Sequence, residues 1–458
     1  MVLHFFFLAL YWVLSNSVNP ETLDFLLLVH CTIGVFMNVS KRRTNYLYYG
    51  IYAGIILATL ANLLVTVDIA AHGVKEFSVY RYIVPAYIPE ATVIWCIGNA
   101  ATLAGYELSY YRSLPKIDFE INKKSVLRNI YYFAAGYIFL TINGTTVNFS
   151  LLSGGVGKVI TLLCFMSILV FARIWGEKED KAYKNYAIIL TLLQTTQALT
   201  TSFLRADLLT PAFCLFVGYF IGKGKLNYLW SYRVVPAVSV LLIFAMFFPA
   251  LGANRAHFIG AFTGRAPVEN ASYHYVGGDG MAGNGALERS SNVAQLSNIV
   301  KLTKKNGFYG GRASLPLIAA LVPRFIWPDK PIIQLGAWFA VEIGAGYVGE
   351  SGRSNNSVNM TIPGELYLDF GYAGLIIGSF LLGMLYCVLW NSANFSSSAS
   401  NLTGTLWGGY LLLNAIVGMG ADLQVIISFL STYITFLIIK KIFSRNANTM
   451  RRPALAGK

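Results

Sequence analysis

Long apolar runs alternate with short polar turns along most of this chain. The runs cover residues 2–17, 22–40, 46–69, 84–111, 128–147, 149–172, 185–203, 207–222, 234–251, 361–390, 404–420 and 422–440. Each approaches the ~17–25 residues that an α-helix needs to cross the hydrocarbon layer. In lipid every backbone polar group must be satisfied within the spanning structure, which an apolar helix achieves. The pattern predicts an all-α polytopic membrane protein with about 12 transmembrane helices. Residues 1–458 are expected to form a single integral membrane domain.

One stretch breaks the rhythm. Residues 251–360 carry ten Lys/Arg and six Asp/Glu, too mixed a character for a bilayer, so 252–360 is expected to be a large outer loop between the ninth and tenth helices. Gly277–Gly285 is a glycine-rich bend within it. From Ala286 to Asn306 the positions Leu287, Val293, Leu296, Val300 and Thr303 recur at three- and four-residue steps, and Gly307 follows as a stop. This spacing predicts an amphipathic helix at the membrane surface or across the mouth of the bundle. Leu315–Trp327 is apolar but too short to span, and Pro316 and Pro323 interrupt it. A re-entrant or interfacial segment is expected there.

Composition agrees with the pattern: 55% of residues are hydrophobic and 12% charged, against roughly 25% charged in soluble domains. A net charge of +14 raises the question of a nucleic-acid partner, and the placement of the charge answers it. Lys41–Arg43, Arg112–Arg128, Arg173–Lys184, Lys223–Arg233 and Lys440–Lys458 together hold 21 of the 35 Lys/Arg. They fall on one side of the alternating runs, which the positive-inside rule makes cytoplasmic. An even number of crossings returns the basic tail 441–458 to that side. The excess charge therefore reflects topology, with no nucleic acid implied. The loop Asn391–Gly404 fits this scheme least, because it is Ser/Asn-rich and has no basic residue.

Leu3–Leu14 lacks a basic flank and a small-residue cleavage site, so it reads as a first helix rather than a removed signal. The five cysteines, Cys31, Cys96, Cys164, Cys214 and Cys387, all lie in apolar runs and show neither a disulfide framework nor metal-ligand spacing.

The candidate chemistry is carried by arginines and carboxylates. Arginine suits a diphosphate, since its planar fork donates two hydrogen bonds and stays charged. The outer loop supplies Arg255, Arg265, Arg289, Arg312, Arg324 and Arg353, and Arg205 stands between helices seven and eight. The plainer alternative is that long translocated loops simply carry charges. Arg205 and Arg324 stand out because they sit at the ends of apolar runs, where unpartnered burial is costly. Asp207 follows Arg205, and Glu365 and Asp369 open helix ten at an i, i+4 spacing on one face. Glu365 is the candidate general base toward a sugar hydroxyl; an ion pair or a helix-start carboxylate favoured by the macrodipole is the structural alternative. His257 and His274 are further candidate bases.

Other chemistries leave no trace. The chain has no Walker motif, His-Glu-x-x-His or Gly-x-Ser-x-Gly, and no alternating strand–helix pattern to carry a Rossmann glycine fingerprint. Secondary transport predicts ionisable residues near helix midpoints and an internal repeat; within the runs Glu107 and Lys158 stand out, and no repeat is evident.

Two segments carry a family resemblance. Val322-Pro323-Arg324-Phe325-Ile326-Trp327-Pro328-Asp329-Lys330-Pro331 resembles the Pro-Arg…Pro-x-Lys-Pro signature of Wzy-type polymerases of bacterial O-antigen and exopolysaccharide repeat units. Pro363-Gly364-Glu365-Leu366-Tyr367-Leu368-Asp369-Phe370-Gly371-Tyr372-Ala373-Gly374 resembles the family's Glu-x-Tyr-x-Asn-Phe-Gly-x-x-Gly segment, with Asp369 where asparagine is usual. Ser202–Leu209 is loosely similar to its Ser-Arg segment.

The resemblance implies a helical, GT-C-like membrane glycosyltransferase that is metal-independent and needs no cofactor. Such an enzyme sits in the bacterial inner (plasma) membrane with its active site on the outer, periplasmic face. It transfers the growing glycan from undecaprenyl diphosphate to the terminal sugar hydroxyl of a new undecaprenyl-diphosphate-linked repeat unit. The implied partners are those lipid-linked oligosaccharides, membrane lipid, a chain-length regulator and a flippase. Glu365, Arg324 and Arg289 would be catalytic; Arg205, Arg312, Arg324 and Lys330 would bind diphosphate; Tyr309, Trp327 and Tyr367, with Trp338, would meet sugar faces. An O-antigen ligase would share these arginines, and a non-enzymatic lipid-linked oligosaccharide flippase would instead line a central cavity with cations.

Overall fold

The structure, a computed structural model, describes residues 1–15, 17–40, 45–74, 83–117, 124–142, 154–201, 205–224, 291–315, 317, 327, 335–347, 357–395, 401–417 and 423–450. The predicted ninth run, 234–251, lies outside the described residues, as do Arg289, Arg324, Lys330, His257, His274 and most of Leu315–Trp327.

The described chain is all-helical, without a strand. In order come α1 (Val2–Leu14), α2 (Pro20–Ser40), α3 (Tyr46–His72), a 3₁₀ turn at Pro85–Tyr87, α4 (Ile88–Leu108), α5 (Lys124–Ile142), α6 (Gly154–Lys178) and α7 (Lys181–Thr201). After α8 (Arg205–Lys223) follow α9 (Val293–Asn306), α10 (Leu335–Glu342), α11 (Ile362–Ser392), α12 (Leu402–Val417) and α13 (Gln424–Met450).

Among the described residues α2, α3 and α11 are long and apolar enough to cross a membrane, and Val2–Leu14, Thr210–Lys223 and Gln424–Ile438 are shorter apolar helices. The exposed faces of the long helices are apolar as well. Phe25, Ile33 and Phe36 lie outward on α2, Leu57, Leu60, Leu64 and Val67 on α3, and Phe370, Ile377 and Leu381 on α11. A helix at a water interface would place charges at such positions, whereas one in lipid is apolar all round. The chain is a membrane protein.

Packing divides the chain into two compact units. The first comprises Met1–Leu114, Val276–Asn391 and Leu411–Ser428; the second comprises Pro115–Tyr275, Ser392–Tyr410 and Phe429–Lys458. In the first unit α4 is the central helix, buried at every position from Ala91 to Tyr106. Its backbone approaches that of α11 closely: a Cβ on Gly105 would lie 1.9 Å from the Phe380 carbonyl oxygen, and one on Gly383 2.0 Å from that of Thr102. Backbones approach this closely in membranes through small residues, which gain dispersion contact and exclude lipid.

α9 is the helix that periodicity predicts in the outer loop, and it starts at Val293 rather than Ala286. Its start is set from outside: Asn62, buried within α3, accepts the Asn292 N–H at 2.7 Å and the Ser291 hydroxyl at 3.0 Å. Val293, Leu296, Ile299, Val300 and Leu302 are buried, a wider face than an interfacial stripe requires. Gly307 ends the helix at φ 76°, a conformation that glycine adopts without a Cβ penalty.

In the second unit α6 packs against α7 and α8, and α7 against α5. Arg173, which charge placement groups with the cytoplasmic loops, is buried within α6. Its guanidinium donates to Thr405 Oγ1 at 2.8 Å and to the Phe395 carbonyl at 2.5 Å, and lies 4.5 Å from the Phe395 ring centre. The Asn391–Gly404 connection thus takes from α6 the cation that its own sequence lacks.

Candidate functional site

The site is built on α11, a helix in two parts. At Gly371 the backbone takes φ 63° and ψ −151°, a region essentially restricted to glycine. A Cβ there would also lie 2.8 Å from the Phe308 ring. On the turn that this break interrupts, the Leu368 and Asp369 carbonyls accept N–H bonds from Tyr309 and Gly310 at 3.0 and 2.9 Å. The Asp369 carboxylate completes the attachment, accepting the Ala313 N–H at 3.0 Å, the Ser314 N–H at 2.8 Å and the Ser314 hydroxyl at 2.5 Å. With three donors on its two oxygens, Asp369 is a clamp that ties the chain after α9 to the break in α11.

The clamped segment carries two of the predicted site residues. Tyr309 meets Trp338 of α10 edge-on, with ring centres 5.6 Å apart. Arg312 lies exposed on the turn next to the residues that Asp369 holds. Trp327 is exposed.

Glu365 lies one turn before Asp369 and is 0% exposed. The start of α11 is shaped around it. Thr361 sits at φ 67°, a left-handed conformation that is strained for a β-branched residue. Strain of this kind costs about 1–3 kcal/mol and persists where the surroundings over-determine it. Three hydrogen bonds do so: Thr361 N–H to Asn359 Oδ1 at 2.9 Å, Gly364 N–H to Thr361 Oγ1 at 3.2 Å, and Glu365 N–H to the Thr361 carbonyl at 2.9 Å. Pro363 occupies the first turn, where its missing N–H would be unpaired in any case. The Leu423 N–H faces Glu365 Oε2 at 3.4 Å. A carboxylate in a helix's first turn is also favoured by the macrodipole, so burial of Glu365 is supported from both ends.

Tyr367 takes a different place from the one a sugar platform requires of it alone: its ring is 3% exposed, edge-on to Phe308 and Tyr372. Its hydroxyl donates to Glu90 Oε1 at 2.7 Å. Lys304 of α9 pairs with Glu90 Oε2 at 2.6 Å and lies 4.7 Å from the Tyr87 ring centre. Glu90 and Lys304 escape the sequence reading, since only the packing of α4, α9 and α11 brings them together. A lone acid in the first turn of an apolar run is the signal that marks Glu90.

The structure thus gathers Tyr309, Arg312, Tyr367 and Glu365 around the first turns of α11. Arg205 opens α8 in the second unit. Of the two carboxylates on α11, Asp369 is held by two backbone N–H groups and a hydroxyl, while Glu365 is fully buried and faces the Leu423 N–H. No protein-family model, curated protein or solved structure matches the chain.

Proposed function

We propose that the chain is a membrane glycosyltransferase of the repeat-unit polymerase type, working in the bacterial inner membrane on the outer face of a GT-C-like bundle of about 12 helices. The observation that carries this reading is Glu365: a fully buried carboxylate in the first turn of α11, behind a strained Thr361, with an aromatic and cationic segment clamped beside it. Strained backbone and buried charge cluster where a protein positions reacting groups.

In this reading Glu365 takes the proton from the terminal sugar hydroxyl of one lipid-linked repeat unit as that oxygen attacks the anomeric carbon of the growing glycan. Undecaprenyl diphosphate leaves with the bonding electrons. Arg324, Arg289, Arg312, Arg205 and Lys330 neutralise the diphosphates of donor and acceptor, and fixed cations aimed at charge that develops in the transition state are worth most. Tyr309, Trp338 and Trp327 offer faces to the sugars. Tyr367 orders the site through Glu90 rather than by stacking.

Arginine substitution tests the assignment. Arg324→Ala is expected to abolish polymer while membrane levels of the protein stay unchanged. Arg324→Lys is expected to be nearly as poor, because an ammonium cannot reproduce a bidentate contact. Normal glycan chain lengths in both variants, resolved on a gel, would remove the diphosphate role from this residue.

A further inference from the structure

At one end of the second unit a cavity of about 270 Å³ opens between the starts of α5 and α7. Lys124, Ser125 and Arg128 line it from α5, and Asp180, Tyr183 and Tyr186 from the start of α7. The three α5 side chains are exposed, and among the described residues neither Lys124 nor Arg128 is in an ion pair. Asp180, the carboxylate of this lining, is turned to its own helix: its Oδ1 accepts the Ala182 N–H at 2.9 Å. The wall behind the cations is aromatic. Tyr186 stacks on Tyr131 with ring centres 4.3 Å apart and meets Phe171 edge-on, while Tyr183 is buried.

The cavity lies at the basic end of these helices. α5 and α7 begin there and α6 and α8 finish there, since Lys223 at the end of α8 pairs with Glu179 in the turn between α6 and α7. Lys124, Arg128, Lys178, Lys181, Lys184 and Lys223 thus face only Glu177, Glu179 and Asp180 among the described residues of these helix ends, a balance that the positive-inside rule assigns to the cytoplasmic side. Beyond the cavity the exposed side chains change character in the same order along both helices. On α5 Arg128 is followed by exposed Tyr132, then by exposed Phe139 and Leu140; on α7 Lys181 and Lys184 are followed by half-buried Tyr186, then by exposed Ile189 and Leu192. Cation, tyrosine and hydrocarbon succeed one another as phosphate, glycerol boundary and acyl chain do in a phospholipid.

We propose that this cavity binds the headgroup of an anionic phospholipid of the cytoplasmic leaflet, with the acyl chains lying along the outward faces of α5 and α7. The Arg128 guanidinium can donate two hydrogen bonds to the phosphate oxygens. Lys124 adds a second positive charge and the Ser125 hydroxyl a further donor. Two cations against one capping carboxylate leave the lining net positive, which favours a lipid of net negative charge over a zwitterionic one. Basic pockets between membrane helices on the cytoplasmic side recognise anionic headgroups by this chemistry. At ~30 Å³ per water molecule, the cavity has room for a phosphate and its polar substituent, more than a bare ion would fill. The apolar faces that continue from it favour a lipid over a soluble phosphate, which would leave them uncovered. No glycan is involved, so the site stands or falls separately from the glycosyl-transfer reading.

The experiment is native mass spectrometry of the full-length protein in detergent, titrated with dioleoyl-phosphatidylglycerol or dioleoyl-phosphatidylethanolamine. The parent protein is expected to retain one phosphatidylglycerol in preference to phosphatidylethanolamine, and millimolar inorganic phosphate is expected not to displace it. In the double variant Lys124→Gln/Arg128→Gln the affinity for that lipid should fall about thirtyfold, the loss of two basic contacts at an anionic headgroup. Lys178→Gln/Lys223→Gln removes the same charge from the same end of the helices but outside the cavity, and is expected to bind as the parent does. Equal retention of the two lipids by the parent protein overturns the proposal without reference to any variant. An equal loss in both double variants overturns it as well, because the attraction would then be diffuse. Displacement by inorganic phosphate would make the ligand a soluble phosphate and overturn the lipid assignment.

Discussion

Each unit of the molecule buries charge, and the two do so differently. In the second unit Arg173 sits in an uninterrupted helix with its guanidinium shared between a carbonyl, a hydroxyl and an aromatic face. That charge serves packing: it fastens the chain after α11 to α6. In the first unit Glu365 is buried behind a left-handed threonine on a helix broken six residues later, and Asp24 is buried with no hydrogen-bond partner among the described residues. Burial alone does not separate a structural charge from a functional one, since ion pairs and buried charges often serve no more than conformational specificity. What separates them is the backbone around the charge, left-handed at Thr361 beside Glu365.

Substitutions at four positions break or sharpen this contrast. The largest effect is expected from Glu365→Gln, which keeps size and hydrogen bonding but removes the proton acceptor. Turnover on a lipid-linked repeat unit should fall about 10²–10⁴-fold, while the circular dichroism spectrum and unfolding midpoint stay close to those of the parent. Gly105→Leu attacks the frame instead. With a Cβ 1.9 Å from the Phe380 carbonyl oxygen, α4 and α11 cannot keep their crossing. A cost of about 3 kcal/mol or more should show as loss of monodisperse protein on size exclusion.

Asp369→Ala strands the buried Ala313 N–H and the half-buried Ser314 N–H and hydroxyl at the break in α11. A destabilisation of about 3 kcal/mol is expected from unmet donors, read as a lowered unfolding midpoint; Asp369→Asn, which retains one acceptor oxygen, should recover part of it. The smallest effect belongs to Arg173→Lys. An ammonium cannot reach the Thr405 hydroxyl and the Phe395 carbonyl together, and one missing hydrogen bond is worth about 1 kcal/mol. Activity per folded molecule should stay unchanged in that variant. A fall in specific activity as large as that of Glu365→Gln would erase the distinction between the two units.

Much of the helical layout is legible in the sequence because hydropathy and helix length report the same solvent. Eleven of the predicted runs coincide with helices, from α1 to α8 and from α11 to α13. The departures have local causes. Residues 173–178 read as a loop from their charge yet continue α6, since Arg, Glu and Lys are good helix formers and hydropathy marks the membrane boundary rather than the helix end. The break in α11 is written as Gly371 and Gly374 within an apolar run, but periodicity does not register a change of direction.

The candidate site is legible in part. Glu365 stands out as an acid at a helix start, and the i, i+4 spacing puts Asp369 beside it. The division of labour between them depends on Ala313 and Ser314, more than fifty residues away in sequence. Glu90 and Lys304 are joined only by tertiary packing. Asp24, His4 and His30 are hidden by averaging: Glu21, Asp24 and His30 together still leave 20–38 apolar enough to count as a span. Each is nonetheless visible to a rule that inspects ionisable residues inside spans one by one.

The most direct measurement is reconstitution of the purified protein in nanodiscs with an undecaprenyl-diphosphate-linked repeat unit and EDTA, followed by separation of the glycan products on a gel. A ladder spaced by single repeat units is expected, present with EDTA and absent in Glu365→Gln. Unchanged substrate, with the lipid-linked oligosaccharide instead moving between leaflets in a liposome scrambling assay, would contradict it and make the protein a flippase.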